Sequence, residues 1–312
     1  MGKKPLILTI GANPAWQKVL KFGSLRLDAV NRADALWAFA SGKGINFARA
    51  VRNWGAADSL LVQFAGGDNG KLLLDDIEKE KLAVKSFTSS NPTRCCITCL
   101  SDHDNSMTEL IEPSHAPSPE LQQQALEFIA EHIDEADGMA FCGQLPTGMS
   151  IDFYVECARI AAGKHKTLLI DSWKNIDSVL KYAENAVLKI NGDELRELTG
   201  ISEIQTALKK LFDSYALQGI AITNGAGTAY FAVQGKIWKY SIPKLDHVVN
   251  PVGSGDTASA VFMSELLANN EPEKAFAWAL AAATANCCSM KCGEFDRNEA
   301  MEFYKSVNIE EI

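Results

Sequence analysis

Asn250-Pro251-Val252-Gly253-Ser254-Gly255-Asp256-Thr257 runs directly into the apolar-periodic stretch Ala258-Ser259-Ala260-Val261-Phe262-Met263. Two glycines allow a tight turn that aims successive amide N–H groups into one concavity, and the helix behind presents its positive end to the same place. The stretch therefore predicts an anion-binding turn at a helix start. Asp256 falls in the first helical turn, where a carboxylate can take a proton from a hydroxyl that attacks a held anion. A base beside an anion cradle points to phosphoryl transfer. Taken alone, the same residues also suit a plain turn whose aspartate complements the helix dipole, so the rest of the chain has to decide.

Working outward, the chain alternates strand-like and helix-like segments. Leu6 to Ile10 is a near-continuous β-prone run that opens into Gly11-Ala12-Asn13-Pro14. Ser41-Gly42-Lys43-Gly44 opens a second glycine-rich helix start, with Phe47, Ala48, Val51 and Trp54 on one side and Gly55 as its stop. Strand 60–65, a glycine turn and helix 71–81 follow. Helix 121–133 starts behind the N-cap Ser118 and Pro119. Strands at 138–142, 167–170, 186–190 and 219–223 then alternate with helices at 150–162, 193–198 and 203–217. Such alternation predicts an α/β fold with a central, mostly parallel sheet and helices on both faces. Segments 228–233 and 236–240 read as a hairpin, and an alanine-rich helix is expected near 272–289.

Two stretches break the pattern. Residues 15–40 carry Trp16, Phe22, Trp37 and Phe39 without a helical period, and residues 86–112 alternate polar and apolar positions around Asp102-His103-Asp104-Asn105. Both are expected to form one small β-sheet lid on a single domain spanning 1–312. Ligands of open parallel sheets gather at the carboxyl ends of the strands, where the glycine turns fall.

Composition narrows the classes. At 312 residues, 47% hydrophobic and a formal charge of −9, the chain has no basic patch to meet nucleic acid. No apolar run reaches spanning length, no secretory signal precedes Asn13-Pro14, and Met1-Gly2 lacks the serine or threonine of an acylation signal, so a cytoplasmic protein is expected. The eight cysteines include Cys96-Ile97-Thr98-Cys99, but on a strand positions three apart face opposite ways. Reduced, mainly buried thiols are expected rather than a metal site.

Four separated segments together resemble the ribokinase-like PfkB sugar kinases: Asn13-Pro14-Ala15, Gly42-Lys43-Gly44-Ile45-Asn46 with Ala48-Arg49, Lys189-Ile190-Asn191-Gly192-Asp193-Glu194, and Asn250 to Thr257. With Thr108-Glu109-Leu110-Ile111-Glu112, the set is most similar to the branch holding 1-phosphofructokinase and tagatose-6-phosphate kinase. The resemblance implies an ATP- and Mg2+-dependent kinase of a phosphorylated ketohexose. Asp256 would be the base, and the N–H groups of Gly253, Ser254 and Gly255 would stabilise the moving phosphoryl group. Asn191 and Glu194 would hold hydrated magnesium. The turn through Thr223, Gly225 and Gly227 would meet the nucleotide, and Asn286 would either lie near the adenine or be an ordinary residue of its alanine-rich helix. Asn13, Gln17, Gly42, Gly44 and Asn46 would meet the sugar, and Lys43 and Arg94 its phosphate.

The chain also departs from the pattern. Gln17 stands where the branch has an aspartate, Ser41 where a glycine is usual, and Gln144 where a serine is usual. A neutral amide cannot offer two hydroxyls a charged, two-oxygen acceptor. An unphosphorylated sugar or nucleoside as acceptor, or a catalytically silent sensor of nucleotide or sugar phosphate, therefore stays open. A homodimer through the lid's sheet edges is a further expectation.

Overall fold

The computed structural model describes residues 3–312, which leaves the reading at Met1-Gly2 outside the described residues. The first third holds β1 (Leu6–Ile10), β2 (Ala15–Phe22), β3 (Ala35–Ser41), α1 (Lys43–Trp54), β4 (Asp58–Ala65), α2 (Gly67–Lys79) and β5 (Val84–Thr88). β6 (Arg94–Ser101), β7 (Ser106–Ile111), α3 (Pro119–His132), β8 (Gly138–Cys142), α4 (Asp152–Gly163), β9 (Thr167–Asp171) and α5 (Asp177–Leu180) follow. The remainder comprises β10 (Ala186–Asn191), α6 (Gly192–Thr199), α7 (Ile204–Ser214), β11 (Gly219–Thr223), β12 (Ala229–Val233), β13 (Lys236–Ser241), α8 (Ser254–Leu267), α9 (Pro272–Asn286), α10 (Arg297–Tyr304) and β14 (Asn308–Glu311).

Ten strands form the main sheet in the order β14-β13-β12-β11-β10-β9-β8-β1-β4-β5. Pairing is parallel from β11 to β5 and antiparallel from β11 to β14. Strands buried on both faces need apolar residues at every position, which is why β1, β8 and β9 read as continuous apolar runs. On one face, Phe47, Val51 and Trp54 of α1 pack with Val261 and Phe262 of α8 and Phe276 and Leu280 of α9. The other face packs α3 to α7, through Ile129, Phe153, Tyr154, Val179, Leu195 and Leu208 among others. Helices α8 and α9 are apolar nearly all round and correspondingly buried, the signature of helices enclosed by other elements.

A separate sheet, in the order β3-β2-β6-β7, gathers the segments expected to form a lid. Its inner face is fixed by Val19, Phe39 and Leu100, which pack on Val252, Met290 and Cys292 of the body. One expectation changes: residues from 86 were assigned to the lid, but β5 pairs in parallel with β4 in the main sheet. Phe87 accounts for this, since its ring packs against Phe64 in the main core. The short polar strand β14 and the single-turn helix α5 had not been anticipated; neither is long enough to show a period. No helix among the described residues is long and apolar enough to cross a membrane.

The chain leaves β1 for β4 on one side and β8 lies on the other, so the sheet has its topological switch between β1 and β8. The carboxyl ends of these strands and their neighbours form a crevice, as such switch points do. The amino ends of α1 and α8 meet there.

Candidate active site

Asp256 stands in the first turn of α8, whose amino end carries no side-chain cap. The turn before it is held from outside the helix. Asn250 accepts from the Val252 N–H at 3.1 Å and donates to the Met290 carbonyl at 2.9 Å. Gly253 adopts φ 88°, and a Cβ there would come within 2.9 Å of the Cys292 backbone, so both conformation and space require glycine. The Ser254 N–H donates to the Pro251 carbonyl at 3.3 Å, and no side-chain hydroxyl or carboxylate closes the start of α8.

The Asp256 carboxylate is buried, and Asn46 of α1 donates to its Oδ2 at 2.8 Å. The Asn46 amide is oriented by two donors to its oxygen, Ser41 Oγ at 3.0 Å and Arg49 Nη1 at 3.4 Å. Gly42, at φ 104°, begins this turn; a Cβ there would meet Pro14 Cα at 2.8 Å, which brings the Asn13-Pro14 loop against the start of α1. Lys43 Nζ lies 3.9 Å from Asp256 Oδ1 and 2.7 Å from Asp171 Oδ1. Asp171, at the end of β9, also accepts from Ser259 Oγ at 2.7 Å and faces Lys189 Nζ at 3.5 Å. Lys189 Nζ would lie 3.1 Å from a Cβ placed on Gly255, so this ammonium borders the uncapped turn.

The electrostatics follow from burial. Desolvation pushes the Asp256 carboxyl above its ordinary range, with the Asp171 charge adding to the effect and Lys43 and Asn46 opposing it. Burial would also raise Asp171, but Lys189 and Lys43 outweigh it and hold that group down at about 2. Lys43 in turn is held protonated by Asp171 and Asp256 against the cost of burial. Two neighbouring carboxylates thus have opposite tendencies: one is locked as an anion and the other is ready to take a proton.

The structure brings together Asp256, Gly253, Ser254, Gly255, Lys43, Asn46, Gly42 and Gly44 at this end of the sheet. Lys43 differs from its expected place: its Nζ is spent on Asp171 beside the base rather than reserved for an acceptor phosphate. Asn286 differs too. It is fully buried, accepting from Thr257 Oγ1 at 3.2 Å and donating to the Glu294 carbonyl at 3.1 Å, so its amide pins the 287–294 loop to α8. Gln17 and Arg94 lie on the lid, and Arg94 Nη2 reaches the Asn13 carbonyl at 3.4 Å. Arg94 and Asn13 share a recess with His115 and Pro146.

Asn191 and Glu194 form a capping box on α6. Asn191 Oδ1 accepts the Glu194 N–H at 2.9 Å and Glu194 Oε2 accepts the Asn191 N–H at 2.8 Å. Thr223 pairs with Asn191 across β10 and β11, which sets the Gly225 and Gly227 turn beside the start of α6. Sequence reading missed Asp171, Lys189 and Ser259. The available signal was a lysine inside the apolar run Ala186 to Ile190 and an aspartate closing Thr167 to Ile170, charges that a buried strand holds only when paired.

A family model described as pfkB family carbohydrate kinase matches residues 5–299. The chain belongs to the pfkB family of carbohydrate kinases. As a member of that family it is a phosphotransferase with an alcohol group as acceptor. It is 28% identical to tagatose-6-phosphate kinase of Staphylococcus epidermidis, over 98% of this chain and 100% of that protein. Its fold is similar to phosphofructokinase-2 from Escherichia coli in complex with fructose-6-phosphate, at a TM-score of 0.85, 18% identity and coverage of 97% and 99%. It is also similar to Arabidopsis thaliana ribokinase complexed with ribose and ATP, at a TM-score of 0.75, 18% identity and coverage of 97% and 99%. These last two likenesses concern the fold of the pfkB chain.

Proposed function

We propose that this pfkB kinase transfers the γ-phosphate of ATP to a hydroxyl of a phosphorylated ketohexose of the fructose 1-phosphate or tagatose 6-phosphate type. The observation that carries this reading is Asp256, a buried carboxylate of raised proton affinity at the uncapped amino end of α8, with two lysines around it. Asn46 occupies its Oδ2, so Oδ1 is the oxygen that receives the acceptor's proton. The N–H groups of Gly253, Ser254 and Gly255, with Lys189 beside them, oppose the charge on the moving phosphoryl group. Asp171 pairs with both lysines and holds them in place.

ATP is assigned to the carboxyl ends of β10 and β11, lined by Asn191, Thr223, Gly225 and Gly227. Glu194 keeps one carboxylate oxygen outside the capping box, and no group of three acidic or imidazole ligands exists among the described residues. One carboxylate and an amide suit magnesium, which keeps several waters and uses few protein ligands. Asn191 and Glu194 would hold it through those waters, and the ion would neutralise phosphate charge. Arg94, in the recess with Asn13, is the cation assigned to the acceptor's own phosphate. The 28% identity to a tagatose-6-phosphate kinase supports this acceptor class. The lid's outer face exposes Leu36 and Leu110 beside Leu20 and Ile97, and a second copy of the chain is the proposed cover.

Coupled ADP release with MgATP, run against fructose 1-phosphate, tagatose 6-phosphate, fructose 6-phosphate, fructose, ribose and adenosine, tests the reading. Turnover concentrated on one phosphorylated ketose supports it. Turnover confined to an unphosphorylated acceptor refutes it.

A further inference from the structure

The lid carries a carboxylate that the proposed chemistry leaves unused. Directly paired residues of neighbouring strands point to the same face of a sheet. On this lid Val19 lies opposite Thr98, and Thr98 opposite Glu109. Val19 packs on the body, so Thr98 and Glu109 also look inward, as does Gln17 two residues before Val19. Glu109 is open to solvent and has no hydrogen-bond or ion-pair partner among the described residues. Partial desolvation where it faces the body raises its proton affinity, opposed by the Arg94 charge and aided by that of Asp256, so it stands within electrostatic reach of both.

Gln17, which replaces a carboxylate usual in this branch, is already engaged. Its Nε2 donates to Thr98 Oγ1 at 2.9 Å and to the Lys18 carbonyl at 3.2 Å. Both amide hydrogens are used, and only one neutral oxygen is left to face an acceptor. A pair of sugar hydroxyls is held better by two charged oxygens than by one neutral one. We infer that Glu109 supplies this two-oxygen acceptor for the hydroxyls of the sugar phosphate, with Gln17 held behind it through Thr98. The inference rests on the sugar-phosphate reading above and makes Glu109 a specificity-determining residue for it. Arg94 and Glu109 then divide the substrate between them, the cation taking its phosphate and the anion its hydroxyls.

The test is steady-state kinetics of the wild type, Glu109→Gln, Glu109→Asp and the double variant Gln17→Asp/Glu109→Gln, on the best acceptor of the panel, with thermal midpoints alongside. Glu109→Gln should raise the acceptor KM about 10–100-fold, the span of a lost charge-assisted hydrogen bond, and leave the ATP KM and the midpoint unchanged. Glu109→Asp should fall between, and the double variant should recover about tenfold of the lost acceptor KM by the same reckoning. An unchanged acceptor KM in Glu109→Gln overturns the inference, as does an ATP KM that rises in parallel, which would mark a lid that is merely deformed. A double variant with no recovery overturns the shared role of positions 17 and 109. If the wild type turns over only an unphosphorylated acceptor, the sugar-phosphate reading fails by itself, and the same KM ratio on that acceptor still decides Glu109.

Discussion

The floor of the crevice and the inner face of the lid are built on opposite plans. On the floor, Asp171, Asp256 and Lys189 are buried, and the hydrogen bonds and ion pairs among them, Asn46, Lys43 and Ser259 leave little freedom. On the lid, among the described residues, Glu109 has no partner, Arg94 has a single long hydrogen bond to a carbonyl, and Gln17 is tied only within the lid itself. A preorganised charged network in a water-poor site is what stabilises a developing phosphoryl charge. A loosely tied polar face can exchange one acceptor for another at little cost to the fold. Of the three departures, Gln17 lies on β2 of the lid, Ser41 closes β3 where it meets Asn46, and Gln144 follows β8 of the body, whereas Asp256 and its glycines are intact.

Substitutions on the floor should therefore cost turnover, and those on the lid should cost recognition. The largest effect is expected for Asp256→Asn, with kcat reduced by at least ~10²–10⁴-fold, the range for a lost general base. Because burial raises this carboxyl, the acid limb of the wild-type kcat profile should lie above the ordinary carboxylate range, with activity rising as pH rises through it. Asp171→Asn comes next. It leaves Lys189 buried without its anion, and loss of one partner of a buried pair costs about 3–5 kcal/mol. Denaturant unfolding should show that loss, and coupled ADP release should show depressed kcat.

Arg94→Gln should raise the acceptor KM about 10–100-fold while kcat stays within about threefold, since a charged hydrogen bond to the phosphate is lost without touching the base. A kcat loss as large as the KM change would dissolve the contrast between floor and lid. The last expected effect is on stability alone and concerns Glu80, where α2 meets α1. Burial would raise this carboxyl, but Arg49 and Lys291 bring it down to about 2 from 4.5. A depressed folded-state value stabilises the protein above about pH 4.5 and loses that contribution as pH falls toward 2. Glu80→Gln should flatten the loss of stability across that window, as read by thermal midpoints at stepped pH.

Contiguity explains what was legible. The uncapped turn of α8, the start of α1 and the capping box of α6 each consist of neighbours in the chain, so their residue types declared them. The central sheet could be read from alternation, and the lid from its interruption. Asp171 and Lys189 could not be paired from sequence because they meet only through the β9 and β10 register, in which Leu188 lies opposite Ile170 and brings the two charges abreast. Lys43 was read as a phosphate ligand because its partner Asp171 is 128 residues away. Asn286 looked available because nothing in an alanine-rich helix announces that Thr257 and the 291–294 loop have claimed its amide.

The most direct test is a side-by-side measurement of kcat and acceptor KM for Asp256→Asn and Arg94→Gln, with ATP affinity measured by calorimetry in both. The account predicts that Asp256→Asn binds ATP normally and loses turnover, while Arg94→Gln keeps its kcat and loses acceptor affinity. A folded Asp256→Asn protein with undiminished kcat would contradict it.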